Sequence, residues 1–453
     1  MTQLTTPRPT AQRLVLPIVA VGVLLSGFDL FIVNVALGDI AAAMDVADLS
    51  DLSWVLNAYT IAFAALLVPA GRIGDLIGAR RGFLAGLALF TAASALCAAS
   101  PTLASLVAFR VVQAVGAALM IPSSLGLVIA TAPPERRAGS VRLWAGLGGL
   151  GAALGPVVGG LLVHADWRWV FLINIPVGVA ALVIGMRVLP QTPRHPDRRP
   201  GLAGALALVA TVAALVTALV NGPEWGWSSP ATLGLFALAA VGVGVNGRLI
   251  VRSASPIVDV TLLRVPQFAA MSTSLFVFHV AFGAMLLSAV LWLQDVWGYS
   301  ALETGLGIAP GPLLVPFVAV GAGRVVAQIG ARPTVTAGAM VFATGVAAWA
   351  LLADGAGSYV TGFLPGILLT GIGVGLTVPT AVALGSGDLP PTRFSTGSAV
   401  LTTARQIGIA VGVAIVVAVL GSAAGTDAFR AAWWVTAVVA VLAAGTAVER
   451  RRA

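Results

Sequence analysis

The sequence has few of the residues that a water-soluble protein exposes. Only 9% of its 453 residues are charged and 58% are hydrophobic, whereas an ordinary soluble domain is about 25% charged. It contains no lysine, so its 25 basic residues are all arginines, against 17 acidic residues. The chain has too few polar residues to form the water-exposed surface of a soluble fold of that length. The composition therefore predicts an integral membrane protein. The placement of the arginines indicates membrane topology and not nucleic-acid binding.

Other scarce features exclude further classes. The single cysteine, Cys97, lies in an apolar segment, so the chain can form neither an internal disulfide framework nor a cysteine-based metal site. We find no Walker sequence and no Rossmann glycine pattern. We therefore expect no cofactor, no enzymatic activity and no ATP hydrolysis on this chain. The first apolar run is too long for a cleavable signal peptide.

Long apolar runs dominate the rest. A bilayer core of about 30 Å requires roughly 20 apolar residues per helix, and we predict fourteen membrane-spanning segments: 14–37, 53–74, 82–99, 103–131, 141–163, 169–189, 202–221, 231–250, 267–293, 301–322, 333–353, 358–383, 395–419 and 429–447.

The arginines predict the orientation. With a cytoplasmic N-terminus, Arg168 and Arg430 lie outside and Arg110 and Arg405 lie within segments, which leaves 21 of the 25 on the cytoplasmic side. Basic residues favour that side, so both termini are expected in the cytoplasm of a multi-pass cell-membrane protein.

An internal repeat predicts the domain organisation. "GRIGDLIGAR" at 71–80 and "GRVVAQIGAR" at 323–332 match at six of ten positions, each after the second segment of a six-segment half. We therefore divide the chain into an N-terminal half (1–189), a linker with two additional helices (190–266) and a C-terminal half (267–453). Parallel halves of this kind are a known transporter plan.

Five motifs in order resemble one family. They are "DLFIVNVAL" in the first segment, "GRIGDLIGARR" after the second, "RVVQAVGAA" at 110–118, "GAALGPVVGG" at 151–160 and "WRWVFLINIPVG" at 167–178. Together they resemble the major facilitator superfamily, and within it the fourteen-helix drug:proton antiporter branch. The resemblance implies an all-α fold with two six-helix halves and two inserted helices.

The second motif implies a conformational latch. The residues expected to form it are Gly71, Arg72, Asp75, Gly78, Arg80 and Arg81. In the family such an acid pairs with a neighbouring helix and stabilises one conformation. The alternative is a solvated loop whose charges only set topology. Ala327 replaces the acid in the second copy, so no equivalent charged latch is expected there.

The fifth-segment motif implies antiport. Its residues are Gly151, Gly155, Pro156, Gly159 and Gly160. Glycines four residues apart share one helical face and let helices approach closely, and proline bends a helix. The functional interpretation is a flexing interface between halves, and the alternative is ordinary tight packing.

Asp29 and Arg110 are the candidate proton-coupling residues. A charge at mid-membrane costs roughly 3 kcal/mol on insertion scales, so each should face a partner or water. Asp29 lies about 15 residues, or ~22 Å, from the cytoplasmic end of its segment, and Arg110 lies ~10 Å from the outer end of its own. Similar depths predict contact on the wall of a central cavity, with proton and drug competing for Asp29. The alternative is a static pair.

Six further polar residues are candidates for the substrate cavity: Asn34, Asn57, Tyr59, Gln113, His279 and Arg405. His279 could instead be a structural histidine, Arg405 a static pair member, and Tyr59 part of an interfacial aromatic belt. Asp295 and Glu303 are expected to be solvated helix ends.

These features predict a monomeric, proton-driven antiporter that exports small lipophilic, preferentially cationic, drugs or toxic metabolites by alternating access. Its expected partners are the substrate, protons and the lipid bilayer, and not nucleic acid. The alternatives are a dedicated exporter of one natural product or anionic compound and, in another class, a membrane channel or receptor.

Overall fold

The computed structural model describes residues 9–46, 49–192, 201–252, 260–354, 358–420 and 425–447, and most of these residues are helical. The helices in chain order are α1 (Pro9–Met44), α2 (Leu49–Ile77), α3 (Ala79–Ala98), α4 (Leu103–Thr131), α5 (Pro134–Val163), α6 (Trp169–Leu172), α7 (Asn174–Val188), α8 (Leu202–Trp225), α9 (Pro230–Arg252), α10 (Val260–Leu263), α11 (Pro266–Leu291), α12 (Ala301–Ile308), α13 (Pro310–Ile329), α14 (Ala331–Leu352), α15 (Leu364–Gly387), α16 (Phe394–Leu420) and α17 (Thr426–Ala447). Single π-helical turns follow α11 at Trp292–Val296 and precede α15 at Tyr359–Phe363.

Most of these helices have the length and composition of membrane spans. Within the described residues, twelve segments qualify, and α1 adds a thirteenth if its two bent parts are one span. The remaining predicted segment, 141–163, lies in the 30-residue helix α5, where the side chains of residues 152, 153 and 156 are outside the described part.

The helices form two groups that meet along two seams. In the first group α1 packs on α5, and α4 packs on α2 and α3; in the second, α11 packs on α16 and α17, and α15 packs on α13 and α14. The groups touch where α5 meets α13, and where α16 meets α2 and α4. A glycine at a crossing replaces a side chain that would hold the backbones apart, as at Gly86 and Gly116 of α3 and α4.

The repeated decapeptides make the same turn. Gly78 at the start of α3 has φ 91°, and Gly330 at the start of α14 has φ 92°. Side chains disfavour this left-handed region and glycine does not. The two copies thus end one helix and start the next with the same backbone geometry.

The helix pair α8 and α9 lies against one seam. Val212 and Val216 of α8 pack against Ala64 and Ala65 of α2, while Leu219 of α8 packs near α16. Helix α8 therefore contacts both groups of helices where α2 and α16 approach each other.

Candidate transport site

Five helices converge on a buried polar cluster around Asp29 of α1. Arg110 of α4 donates from Nη1 to Asp29 and, at 2.8 Å, to Gln113 Oε1. Gln113 donates to the other Asp29 oxygen at 2.8 Å, and Asn174 of α7 lies 3.3 Å from that same oxygen. The Arg110 Nε donates to the carbonyl of Val55 on α2 at 3.0 Å. Asp29 and Arg110 are each 0% exposed, so their charges are compensated by protein groups and not by water.

Aromatic and hydroxyl groups enclose this cluster. The Arg110 guanidinium lies 4.2 Å from the centre of the Tyr59 ring, within the range of a cation–π contact. Asn174 also donates to Ser94 Oγ on α3, which donates to the Phe171 carbonyl. Ser94 and Asn174 are not among the site residues predicted from the sequence. Asn174 could have been predicted from the sequence because it is a polar residue within the apolar part of "WRWVFLINIPVG".

A cavity of about 570 Å³ lies away from this cluster, mostly among helices of the C-terminal group. Its described lining comprises Asn34, Val35, Gly149, Phe282, Gly283, Met285, Leu286, Leu287, Val290, Gln294, Thr304, Gly305, Ile308, Gly311, Pro312, Val315, Ile367, Thr370, Gly371, Val374, Ile409 and Val413. Thr304 is in the first turn of α12 and Gln294 is in the π-helical turn after α11. The cavity therefore lies toward the ends of these helices that are opposite the latch.

The cavity lining differs from the prediction. Asn34 lines the cavity, but Asp29, Arg110, Tyr59 and Gln113 are not among its described lining residues. These four side chains are at most 2% exposed. In this conformation neighbouring helices supply the hydrogen-bond partners of Asp29 and Arg110, and their place on the wall of a central cavity stays a prediction.

His279 and Arg405 form a second polar pair, also outside the described lining. Arg405 Nε on α16 lies 3.0 Å from His279 Nε2 on α11, and His279 Nδ1 lies 2.7 Å from the Leu275 carbonyl. The carbonyl can only accept, so Nδ1 carries the hydrogen and the Nε2 lone pair accepts from Arg405. Ile409 and Gly283 line the cavity and lie four residues beyond each partner, so the pair lies one helical turn below the cavity floor.

Asn57, the remaining predicted cavity residue, is also absent from the described lining. Its amide nitrogen lies 3.3 Å from both Ser53 Oγ and Asn221 Oδ1 on α8. It therefore links α2 to α8.

The predicted latch brings Asp75 to the other group of helices. Its carboxylate accepts from the backbone N–H groups of Ser395 at 3.0 Å and Thr396 at 2.9 Å, and from the Thr396 hydroxyl. These residues begin α16, whose first N–H groups have no partner within the helix. A carboxylate at a helix N-terminus is also favoured by the helix dipole.

The other latch residues surround this contact. A Cβ on Gly71 would lie 2.6 Å from Ala399 Cβ and 2.8 Å from the Ser395 carbonyl oxygen, so α2 and α16 touch there. Arg72 is buried, Arg80 donates to the Met186 carbonyl, and Arg81 is exposed. The structure therefore brings Asp75 and Gly71 to α16, while Arg81 faces outward.

The α5 glycines pack chiefly within their own group. A Cβ on Gly151 would lie 2.7 Å from backbone atoms of Gly27 and Phe28 on α1, and one on Gly159 would lie 3.0 Å from Ile32 Cγ1. Gly160 faces Leu302 of α12 across the seam. Gly155 is buried, and the side chain of Pro156 lies outside the described residues.

Two other glycines of α5 reach the opposite group. A Cβ on Gly146 would lie 2.7 Å from Ala319 Cβ, and one on Gly149 would lie 3.1 Å from Val315 Cβ, both on α13. The close contact of α5 with the opposite group therefore also includes residues on the N-terminal side of the motif at 151–160.

The two acids predicted to be solvated, Asp295 and Glu303, lie after the end of α11 and in the first turn of α12. Glu303 and Asp295 are exposed, and Glu303 accepts from Ser300 in the capping box that begins α12. Across the part of the chain that the structure describes, no group of three or more His, Cys, Asp or Glu side chains could hold a metal ion.

Known proteins share this fold. The human organic anion transporter MFSD10 (TETRAN) superposes with a TM-score of 0.71 at 17% identity, over 97% of this chain and 100% of that chain. The proton:xylose symporter XylE gives 0.68 at 15% identity, over 96% and 94%. The predicted all-α transporter fold is confirmed.

Curated relatives are closer in sequence. The chain is 34% identical to "Multidrug resistance protein Stp" of Mycobacterium tuberculosis, over 91% of this chain and 76% of that protein. It is 32% identical to "Tetracenomycin C resistance and export protein" of Streptomyces glaucescens, over 92% and 77%. The "Probable actinorhodin transporter" of Streptomyces coelicolor is 34% identical, over 90% and 72%.

The family model of the Major Facilitator Superfamily matches residues 19–413. Together with relatives of which the chain covers 72–77% and the same helical architecture, this match shows that the chain is a multi-pass membrane transport protein, not an enzyme, and that it belongs to the major facilitator superfamily.

Proposed function

We propose that the protein exports small lipophilic compounds in exchange for protons, with Asp29 as the coupling carboxylate. The observation that carries the proposal is the buried pair of Asp29 and Arg110, which joins α1 to α4. Protonation of Asp29 would remove one charge and leave Arg110 uncompensated in an apolar interior. Breaking a buried pair costs about 3–5 kcal/mol, which is enough to favour a different arrangement of these helices.

Alternating access supplies the second part of the proposal. The contact of Asp75 with α16 closes the ends of the two groups on one side, while the cavity lies toward the other. With both termini cytoplasmic, as the arginines favour, this conformation has its cytoplasmic side closed. The N-terminal half (1–189) and C-terminal half (267–453) would move against each other to open it, with the protein acting as a monomer.

The functions for which similar proteins are named support export of lipophilic compounds. They include a multidrug resistance protein and a tetracenomycin C resistance and export protein. A dedicated exporter of one natural product is the second candidate, since the probable actinorhodin transporter is comparably similar. Competition for efflux among unlike compounds would separate the two. Membership of a transporter family leaves the channel and receptor alternatives without support.

Transport in everted vesicles tests the coupling. Vesicles acidified inside should accumulate lipophilic dyes, and Asp29→Asn should abolish uphill accumulation because it cannot bind and release a proton. Asp166→Asn is the matched control, since Asp166 pairs with Arg168 at an exposed site and such pairs contribute little. Wild-type accumulation in Asp29→Asn, or accumulation driven by ATP without a pH gradient, contradicts the proposal.

A further inference from the structure

The described partners of Asp29 are all hydrogen-bond donors. Its carboxylate oxygens lie against side-chain nitrogens of Arg110, Gln113 and Asn174. This arrangement fits a carboxylate, which can only accept hydrogen bonds. A protonated Asp29 carries an O–H group that requires an acceptor, because a buried donor without a partner is unfavourable. The hydrogen bonds around Asp29 therefore have to change when a proton binds.

Two amide side chains lie close enough to supply that acceptor, since a half-turn of an amide exchanges its oxygen and its nitrogen. Gln113 is held in its present orientation. Its oxygen accepts from Arg110 Nη1 at 2.8 Å, and a half-turn would set its NH₂ group against that donor. Asn174 is not held in this way, because its Oδ1 is buried and has no hydrogen-bond partner within the described residues. A half-turn of Asn174 therefore costs its oxygen no bond and turns that oxygen toward Asp29.

Ser94 can take part in the same exchange. Asn174 Nδ2 donates to Ser94 Oγ at 3.0 Å, and Ser94 donates to the Phe171 carbonyl at 2.9 Å. A hydroxyl rotates and can either donate or accept, so Ser94 can redirect its hydrogen from Phe171 to the Asn174 oxygen. After the half-turn, both neighbours of the Asn174 amide, Asp29 and Ser94, can donate to its oxygen.

Other ionisable groups lie near Asp29 but not in its hydrogen bonds. They are the Tyr59 phenol of α2 and the Cys97 thiol of α3, together with Arg110 of α4. Tyr59 packs against the Arg110 guanidinium, and Cys97 lies 3.9 Å from Gln113 Oε1. In the part of the chain that the structure describes, neither Tyr59 nor Cys97 is hydrogen-bonded to Asp29. Asn174 is thus the neighbour best suited to both protonation states.

We infer that Asn174 is the positioning residue for the proton on Asp29: its amide donates to the carboxylate and, after a half-turn, accepts from the carboxylic acid. The inference rests on the proposed function, in which Asp29 binds the transported proton. It adds a division of roles among the helices. Asn174 keeps the neutral acid bonded to α7 while Arg110 of α4 is released.

Infrared difference spectroscopy of the protein in lipid nanodiscs tests this exchange. Spectra at acidic minus neutral pH contain the C=O band of each carboxylic acid that forms, and the band missing in Asp29→Asn belongs to Asp29. A carboxylic acid with fewer hydrogen bonds absorbs at higher wavenumber. Asn174→Leu keeps the shape of the side chain and removes the acceptor, so the Asp29 band should move to higher wavenumber.

Asn221→Leu is the matched control. Asn221 is likewise a buried asparagine, with an amide nitrogen that has no partner within the described residues, but it contacts Asn57 and not the Asp29 cluster. The same substitution at this position should leave the Asp29 band at its wild-type wavenumber.

Nuclear magnetic resonance adds a measurement that requires no substitution at Asn174. Asparagine labelled with ¹³C and ¹⁵N, combined with isoleucine labelled at its carbonyl carbon, identifies Asn174, because Ile173–Asn174 is the only Ile–Asn pair in the sequence. On acidification the NH₂ signals of Asn174 should shift, since these hydrogens no longer face Asp29 and Ser94. The NH₂ signals of Asn221 should stay in place.

The outcomes separate this inference from the proposed function. An Asp29 band that is the same in wild type and Asn174→Leu, or Asn174 NH₂ signals that do not respond to acid, overturns the inference and leaves Asp29 as the proton site. An equal band shift in Asn221→Leu also overturns it, because the band then reports general packing. A wild-type spectrum without any band that depends on Asp29 overturns the proposed function, and the inference with it.

Discussion

Replacing Asp75 by asparagine should open the latch. The carboxylate uses both oxygens to accept from α16, at Ser395 and Thr396. In Asp75→Asn one oxygen becomes an amide nitrogen, which cannot accept from a backbone N–H, and the remaining bond loses its charge. Since hydrogen bonds to charged groups contribute about 1.5–3 kcal/mol each, we expect a net loss of about 2–3 kcal/mol.

That loss falls on the closed conformation, because the contact joins helices from opposite groups. A change of about 2–3 kcal/mol shifts the equilibrium between closed and open by roughly 30- to 160-fold. A protein that is almost wholly closed on this side would acquire a measurable open population. Alternating access should then slow, because every cycle passes through the closed form and that form has become less stable.

Double electron–electron resonance can measure this population. Spin labels at Arg81 and Gly387, both exposed, report the distance across the latch side in a Cys97→Ala background. Asp75→Asn should add a longer distance, while Glu135→Gln, which changes an exposed acid in the first turn of α5, should not. An unchanged distance distribution in Asp75→Asn, with normal transport, would show that the Asp75 contact does not hold this side closed.

Two further substitutions test the packing around the site. Gly151→Ala places a Cβ 2.7 Å from backbone atoms of Gly27, so we expect a lower thermal midpoint of unfolding and a large loss of transport. Gly148→Ala is the control that should be tolerated, because its Cβ would lie 3.7 Å from its nearest neighbour. Equal stability of the two variants would refute the contact between Gly151 and Gly27. His279→Phe should lower the thermal midpoint of unfolding, because Arg405 loses its hydrogen-bond acceptor at a cost of about 1–3 kcal/mol. His279→Gln retains an acceptor and should lower the midpoint less. Similar thermal midpoints for the two variants would refute this explanation.

Hydropathy predicted the helices well but not all of their ends. The predicted segment 103–131 coincides with α4, Leu103–Thr131, because a threonine cap and the apolar run begin together. The segment predicted at 53–74 is shorter than α2, Leu49–Ile77. An apolar window detects the part of a helix that lies in hydrocarbon, and helices continue through polar residues beyond it.

Depth along a helix could be predicted, and rotation about its axis could not. Counting residues placed Asp29 and Arg110 at similar depth, and the structure brings them into contact. Asn34 lines the cavity and Tyr59 packs against Arg110. Both contacts depend on how each helix is rotated about its axis relative to its neighbours. That rotation is set by packing between segments far apart in sequence, which a single apolar pattern does not encode.

The position of α8 bears on how a molecule dissolved in the bilayer could reach the interior. Helix α8 contacts α2 through Val212 and Val216, and it contacts α16 near Leu219. A lipid-borne molecule that approaches the seam between α2 and α16 therefore meets a transmembrane helix and not a gap. Lateral entry of a substrate from the bilayer would therefore have to occur at a different flank of the molecule.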